Sequence, residues 1–210
     1  MKQIKGIVFD LDGTLYSNSE FASEIHHAAV RSIANQLDMP LHKAELKLQE
    51  TKRLLAEQTG REATLSDACA DIGADLHAMH KTIARETNPD IYLKEDNNVI
   101  NLLKRLSEDY SLYIYTNNNR QLSKKIINTL KIAPYFKKIF TIEDYWRSKP
   151  DWQALETIFD EIGILPEESI FVGDRFDVDL RLPAEMGCYV FLTKSIDELL
   201  TLEQFIKGLN

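Results

Sequence analysis

Cysteine is scarce in this 210-residue chain: Cys69 and Cys188 stand far apart, so no disulfide framework and no cysteine metal site is indicated. Glycine and proline are few, at eight and six residues, which excludes fibrous and low-complexity classes. No apolar run approaches the roughly 20 residues of a membrane span. The first such run, Ile7-Val8-Phe9, is cut short by Asp10 and cannot serve as a signal-peptide core. Positive charge is in deficit, with a net charge of -8, which argues against nucleic acid, since phosphate backbones are held by clustered Lys and Arg. No G-x-G-x-x-G and no Walker A sequence occurs, so neither a dinucleotide nor a nucleoside triphosphate is indicated. The expected setting is the cytoplasm, with no membrane and no nucleic acid partner, as a monomer or homodimer.

What the chain does have begins at once. Ile7-Val8-Phe9 is the apolar, partly β-branched run of a parallel strand covered on both faces, and Asp10 and Asp12 fall at its end. Side chains two apart on a strand point the same way, and Gly13 lets the chain turn sharply after them. Two carboxylates facing one spot repel unless a divalent cation, a lysine or a proton lies between them.

From Asn18 to about Thr87 the apolar spacing is helical. Phe21, Ile25, Ala28, Ala29, Ile33 and Leu37 recur every three or four residues before Pro40. Leu41–Ala56 forms a second helix stopped at Gly60, Thr64 or Ser66 caps a third running to Gly73, and Leu76–Arg85 forms a fourth. After Asp96 strands and helices alternate. Strands are predicted at Leu112–Thr116, Lys138–Ile142, Ile170–Gly173 and Tyr189–Leu192, and helices at Val99–Leu106, Gln121–Leu130, Trp152–Ile162 and Ile196–Lys207. The fold class is therefore α/β, a doubly wound parallel sheet interrupted by an all-helical insertion. Residues 1–16 and 94–210 form the α/β core and residues 17–93 the insertion. Trp146, Trp152, Tyr135 and Phe136 are expected to pack the core.

Ligands bind beyond the carboxyl ends of such strands, so other strand ends matter. Thr116-Asn117 leads into a helix N-terminus, which favours an anion. Gly173-Asp174-Arg175-Phe176-Asp177-Val178-Asp179 brings three acids within six residues, and hard oxygen ligands opposite another acidic pair suit Mg²⁺. Lys149, before Pro150 and Asp151, supplies the cation that phosphate and carboxylates in one cleft need. All five histidines fall between His26 and His80, inside the insertion, so a Ser-His-Asp mechanism is not supported.

In this order the motifs resemble the haloacid dehalogenase superfamily across essentially the whole chain: Asp10-Leu11-Asp12-Gly13-Thr14, then Thr116-Asn117, Lys149-Pro150, and Gly173-Asp174 with Asp179. The resemblance implies a Rossmann-like core with a C1-type helical cap. Asp12 occupies a position where the carbon–halogen-cleaving members lack an acid and the phosphatases have one. The expected activity is Mg²⁺-dependent hydrolysis of a small phosphorylated metabolite, with Asp10 as nucleophile and Asp12 as acid and base. Thr116, Asn117 and Lys149 are expected to hold phosphate. Asp10, Asp12 through its carbonyl, and Asp174 are expected to hold the metal, with Asp179 as ligand or support and Asp177 its competitor. A phosphomutase or a receiver-like phosphoacceptor are the alternatives. Substrate choice is assigned to the cap, with Arg61 as its candidate residue.

Overall fold

In the computed structural model, residues 3–209 are described; Met1, Lys2 and Asn210, at the ends of the expected core segments, lie outside them. Five strands form one wholly parallel sheet: β1 (Gly6–Phe9), β2 (Ser111–Tyr115), β3 (Phe136–Phe140), β4 (Ser169–Gly173) and β5 (Tyr189–Leu192). Their order is β3-β2-β1-β4-β5. The strand that ends in Asp10 therefore lies in the middle, with Phe9 opposite both Ile114 of β2 and Val172 of β4. One or two residues beyond those partners lie Asp10, Thr116 and Asp174.

The sheet is covered on both faces because its residues alternate. Ile7, Phe9, Leu112, Ile114, Ile170 and Val172 pack with Val99, Leu102 and Leu106 of α5 (Asn97–Asp109) and with Leu122 and Ile126 of α6 (Arg120–Thr129). Val8, Tyr113, Tyr115 and Phe171 face the other way, towards Leu155, Ile158 and Phe159 of α8 (Trp152–Ile162). Full burial of a side chain such as Phe9 contributes about 1.5–3 kcal/mol, so the period-two pattern fixes the strand register.

Four helices follow β1: α1 (Ser19–Gln36), α2 (Leu41–Thr59), α3 (Leu65–Ile72) and α4 (Leu76–Glu86). Asn18 starts α1 by accepting from the Phe21 N–H at 2.8 Å, and Gly60, at φ 68°, ends α2. Thr64, not Ser66, caps α3. The apolar cluster of the first sheet face continues through Leu11, Leu15 and Tyr16 to Phe21, Ile33 and Met79 of this insertion.

Three local expectations are corrected. The third strand ends at Phe140, and Thr141 opens the short helix α7 (Ile142–Tyr145) because the Asp144 carboxylate accepts its N–H at 2.7 Å and its hydroxyl at 2.9 Å. Beyond a five-residue π-helical turn, Phe176–Leu180, lies α9 (Arg181–Glu185), and the expected last helix is two, α10 (Ile196–Leu199) and α11 (Leu202–Gly208). Trp152 is exposed, its indole N–H donating to Glu156, whereas Tyr135 and Phe136 are half-buried at the margin of the core.

Candidate active site

Asp10 follows β1 directly and its N–H donates to the Val172 carbonyl at 2.8 Å, which extends the β1–β4 pairing by one residue. The side chain is 5 % exposed. Its Oδ1 accepts from Lys149 Nζ at 2.5 Å and its Oδ2 from the Thr14 hydroxyl at 3.2 Å. Lys149, 2 % exposed, donates also to Asp179 Oδ1 at 2.6 Å and to the Tyr115 carbonyl at 3.0 Å. One ammonium therefore bridges two buried carboxylates.

Gly13, at φ 84°, turns the chain so closely that a Cβ on it would lie 2.6 Å from Asp174 Oδ2. Only glycine has both the backbone freedom and the missing side chain for that approach. Past the turn, Asp12 points into a cavity of about 430 Å³ shared between the core and the helical insertion. Its carboxylate accepts from the Tyr16 hydroxyl, from Asn118 Nδ2 at 2.7 Å, and from the Thr116 hydroxyl at 3.4 Å.

At the end of β4 a second close approach recurs. A Cβ on Gly173 would lie 2.5 Å from Asp179 Cβ, and Asp179 Oδ2 accepts the Arg175 N–H at 3.0 Å. Both oxygens of Asp179 are thus engaged, one by Lys149 and one by backbone. Asp177 faces out, with Arg181 Nε at 3.8 Å.

Carboxylates outnumber cations here. Burial first, then Asp179 and Asp12, raises the Asp10 carboxyl to about 7 against the opposing pull of Lys149. Burial and Asp179 also raise Asp174. For Lys149, burial favours the neutral amine, but Asp10 and Asp179 outweigh it and the net direction is upward. A divalent cation fits this excess of negative charge. Asp10, Asp174 and Asp179 each offer an oxygen within 4.8 Å of the others, and Asp174 Oδ1 is buried with no hydrogen-bond partner among the described residues. The all-oxygen donor set is one that Mg²⁺ accepts.

Of the expected site residues, Asp10, Asp12, Thr116, Lys149, Asp174 and Asp179 lie together. Asn117 lines the cavity, its Oδ1 accepting the Lys149 N–H at 2.7 Å. Arg61 does not line that cavity. Asp67, fixed at the N-terminus of α3 by the Thr64 N–H, draws its guanidinium to 3.2 Å, and Arg61 lines a neighbouring hollow with Leu55 and Asp71. Sequence reasoning assigned no role to Thr14, Tyr16 or Asn118, which hold the two acids, or to Arg175, which lines the cavity. Tyr16 follows Asp12 by four residues across a glycine turn, and that spacing was its one signal.

The loop carrying Lys149 also touches the insertion. The Trp146 indole stacks on His77, with ring centroids 3.5 Å apart, and the Ser148 hydroxyl donates to Asp67. His80 is buried and pairs with the Ser66 hydroxyl at 3.0 Å.

The family described as haloacid dehalogenase-like hydrolase matches residues 7–192. The chain belongs to the haloacid dehalogenase-like hydrolases. Relatives of this hydrolase include the glyceraldehyde 3-phosphate phosphatases of Methanopyrus kandleri, 29 % identical over 185 residues (85 % of this chain, 78 % of that one), and of Methanocaldococcus jannaschii, 26 % identical over 199 residues (88 % and 82 %). The phosphoglycolate phosphatase of Salmonella typhi is 23 % identical over 217 residues (90 % and 80 %). Among solved structures, a haloacid dehalogenase-type phosphatase from Thermococcus onnurineus superposes with a TM-score of 0.67 at 18 % identity, covering 98 % of this chain and 99 % of that one. A haloacid dehalogenase-type hydrolase from Bacillus subtilis, bound to magnesium, superposes with a TM-score of 0.60 at 18 % identity, covering 97 % of this chain and 100 % of that one.

Proposed function

We propose that this protein, a phosphoric monoester hydrolase, cleaves a small phosphorylated metabolite in two steps through an aspartyl-phosphate on Asp10, with Mg²⁺ as cofactor. The observation that carries the reading is the division of labour between two neighbouring acids. Asp10 is buried and gripped by Lys149 and Thr14, while Asp12 faces the cavity, held by neutral donors.

In the first step a carboxylate oxygen of Asp10 attacks phosphorus, and Asp12 gives its proton to the departing alkoxide. In the second, Asp12 takes a proton from the water that opens the acyl phosphate. Lys149, the Thr116 hydroxyl and the Asn117 N–H hold the transferring oxygens. Asp179 orients Lys149. Mg²⁺, when held by Asp10, Asp174 and the Asp12 carbonyl, offsets the repulsion between nucleophile and phosphate.

The helical block, residues 17–93, acts as a cap, its α1 and α4 supplying Ala22, Ile25, Met79 and Ile83 to the cavity. The names of the relatives support a substrate of two or three carbons. No helix among the described residues is long and apolar enough to cross a membrane, and the free, buried Cys69 and Cys188 suit a reducing cytoplasm.

The experiment is a phosphate-release screen over sugar phosphates, nucleoside monophosphates and phosphoglycolate, with Mg²⁺ and with chelator. Release that persists in chelator removes the metal from the reading.

A further inference from the structure

We propose that Tyr16 is a positioning residue for proton transfer by Asp12, its hydroxyl fixing the carboxyl group at the angle that reaches the leaving oxygen. This rests on the acid and base role given to Asp12 above.

The turn after β1 builds the pair. Gly13 donates its N–H to the Tyr16 carbonyl at 2.9 Å, so the chain doubles back and residue 16 comes to lie beside residue 12. The Tyr16 side chain is 8 % exposed, and its hydroxyl donates to Asp12 Oδ1. On the other oxygen, Oδ2, Asn118 Nδ2 donates at 2.7 Å. With the Thr116 hydroxyl also on Oδ2 at 3.4 Å, donors on both oxygens resist rotation about the Cβ–Cγ bond, so the carboxyl plane is set before substrate arrives.

The fold does not ask for that hydroxyl. The ring packs against Phe21, with centroids 6.2 Å apart, as a phenylalanine would. Its polar end has Asp12 as partner, and a buried hydroxyl without one is destabilising. The tyrosine is therefore matched to the carboxylate. The same ring begins a chain of aromatic contacts, Tyr16 to Phe21 and Phe21 to Tyr92 at 5.7 Å. Asn18 Nδ2 donates to the Tyr92 carbonyl at 2.9 Å. Residues 16–18 and 92 lie on the two crossings between core and insertion, so the hydroxyl on Asp12 is anchored where the cap is attached.

The test compares Tyr16→Phe with the parent enzyme on glycerol phosphate, whose alkoxide needs a proton to leave, and on p-nitrophenyl phosphate, whose phenolate needs little. Misplacing a catalytic group by about 1 Å costs up to roughly 10²-fold. The variant should thus lose about tenfold or more in kcat on glycerol phosphate, with KM held, and less than about twofold on p-nitrophenyl phosphate. The ratio of the two rates is internal to one preparation, so partial unfolding does not move it. An equal loss on both substrates, or no loss on either, overturns the proposal. Asp12→Asn run on the same pair separates the two readings. If Asp12→Asn discriminates between the substrates and Tyr16→Phe does not, Tyr16 alone loses its role. If Asp12→Asn does not discriminate either, the acid and base assignment falls and takes this inference with it.

Discussion

Lys149 Nζ lies 2.5 Å from Asp10 Oδ1, and both side chains are almost wholly buried. Removing one partner from such a pair leaves a charge without water or counter-ion, which typically costs about 3–5 kcal/mol. Lys149→Met should lower unfolding stability by about that amount, measured by urea denaturation without metal, and should abolish turnover. A variant as stable as the parent would show that the pair contributes little.

Asp10→Asn keeps the shape of the side chain and its place beside Lys149 but makes a far weaker nucleophile. It should fold, by circular dichroism and thermal melting, and release no phosphate above background. Residual turnover near the parental rate would require a different nucleophile.

Magnesium should raise the melting temperature of the parent, as any ligand of the native state does. Asp174, whose buried Oδ1 accepts no hydrogen bond among the described residues, should matter more to that shift than Asp177, which faces solvent beside Arg181. Titration of Mg²⁺ into Asp174→Ala and Asp177→Ala measures the difference, and equal affinities would mean that Asp174 is not a ligand.

His80 gives the insertion a pH dependence of definite sign. Burial, then His77, lowers its pKa from 6.5 to about 4. Between those values the unfolded chain takes up a proton that folded His80 refuses, so this contribution falls as pH falls and is constant above about 6.5. The loss amounts to roughly 3 kcal/mol at most. His80→Gln should flatten the stability profile across that window relative to the parent, as read by urea unfolding at each pH.

The legible parts of the site were those written as strand endings. Asp10, Thr116 and Asp174 could be placed side by side because parallel strands in register bring their ends together. Lys149 was harder, since a lysine before Pro150 reads as surface charge until two buried acids claim it. Tyr16 and Asn118 escaped because their role depends on a tight turn and on which way an amide faces, neither of which leaves a periodic trace. Arg61 was assigned to substrate choice from its position between two helices of the insertion, but Asp67, only six residues on, holds its guanidinium at 3.2 Å. The same competition moved Thr141 from strand to helix cap, where the carboxylate of Asp144 outweighs β propensity.

The segment from Trp146 to Lys149 carries two attachments in four residues: Trp146 and Ser148 grip the insertion, through His77 and Asp67, and Lys149 bridges Asp10 and Asp179 at the centre. For protein engineering this sets a rule of exchange. A cap taken from another hydrolase to alter substrate range brings no counterpart of His77 or Asp67 by default, and the grafted chimera then inherits a loosened lysine along with its new pocket. Swaps that carry both the insertion and the lysine loop should keep turnover where swaps of the insertion alone lose it.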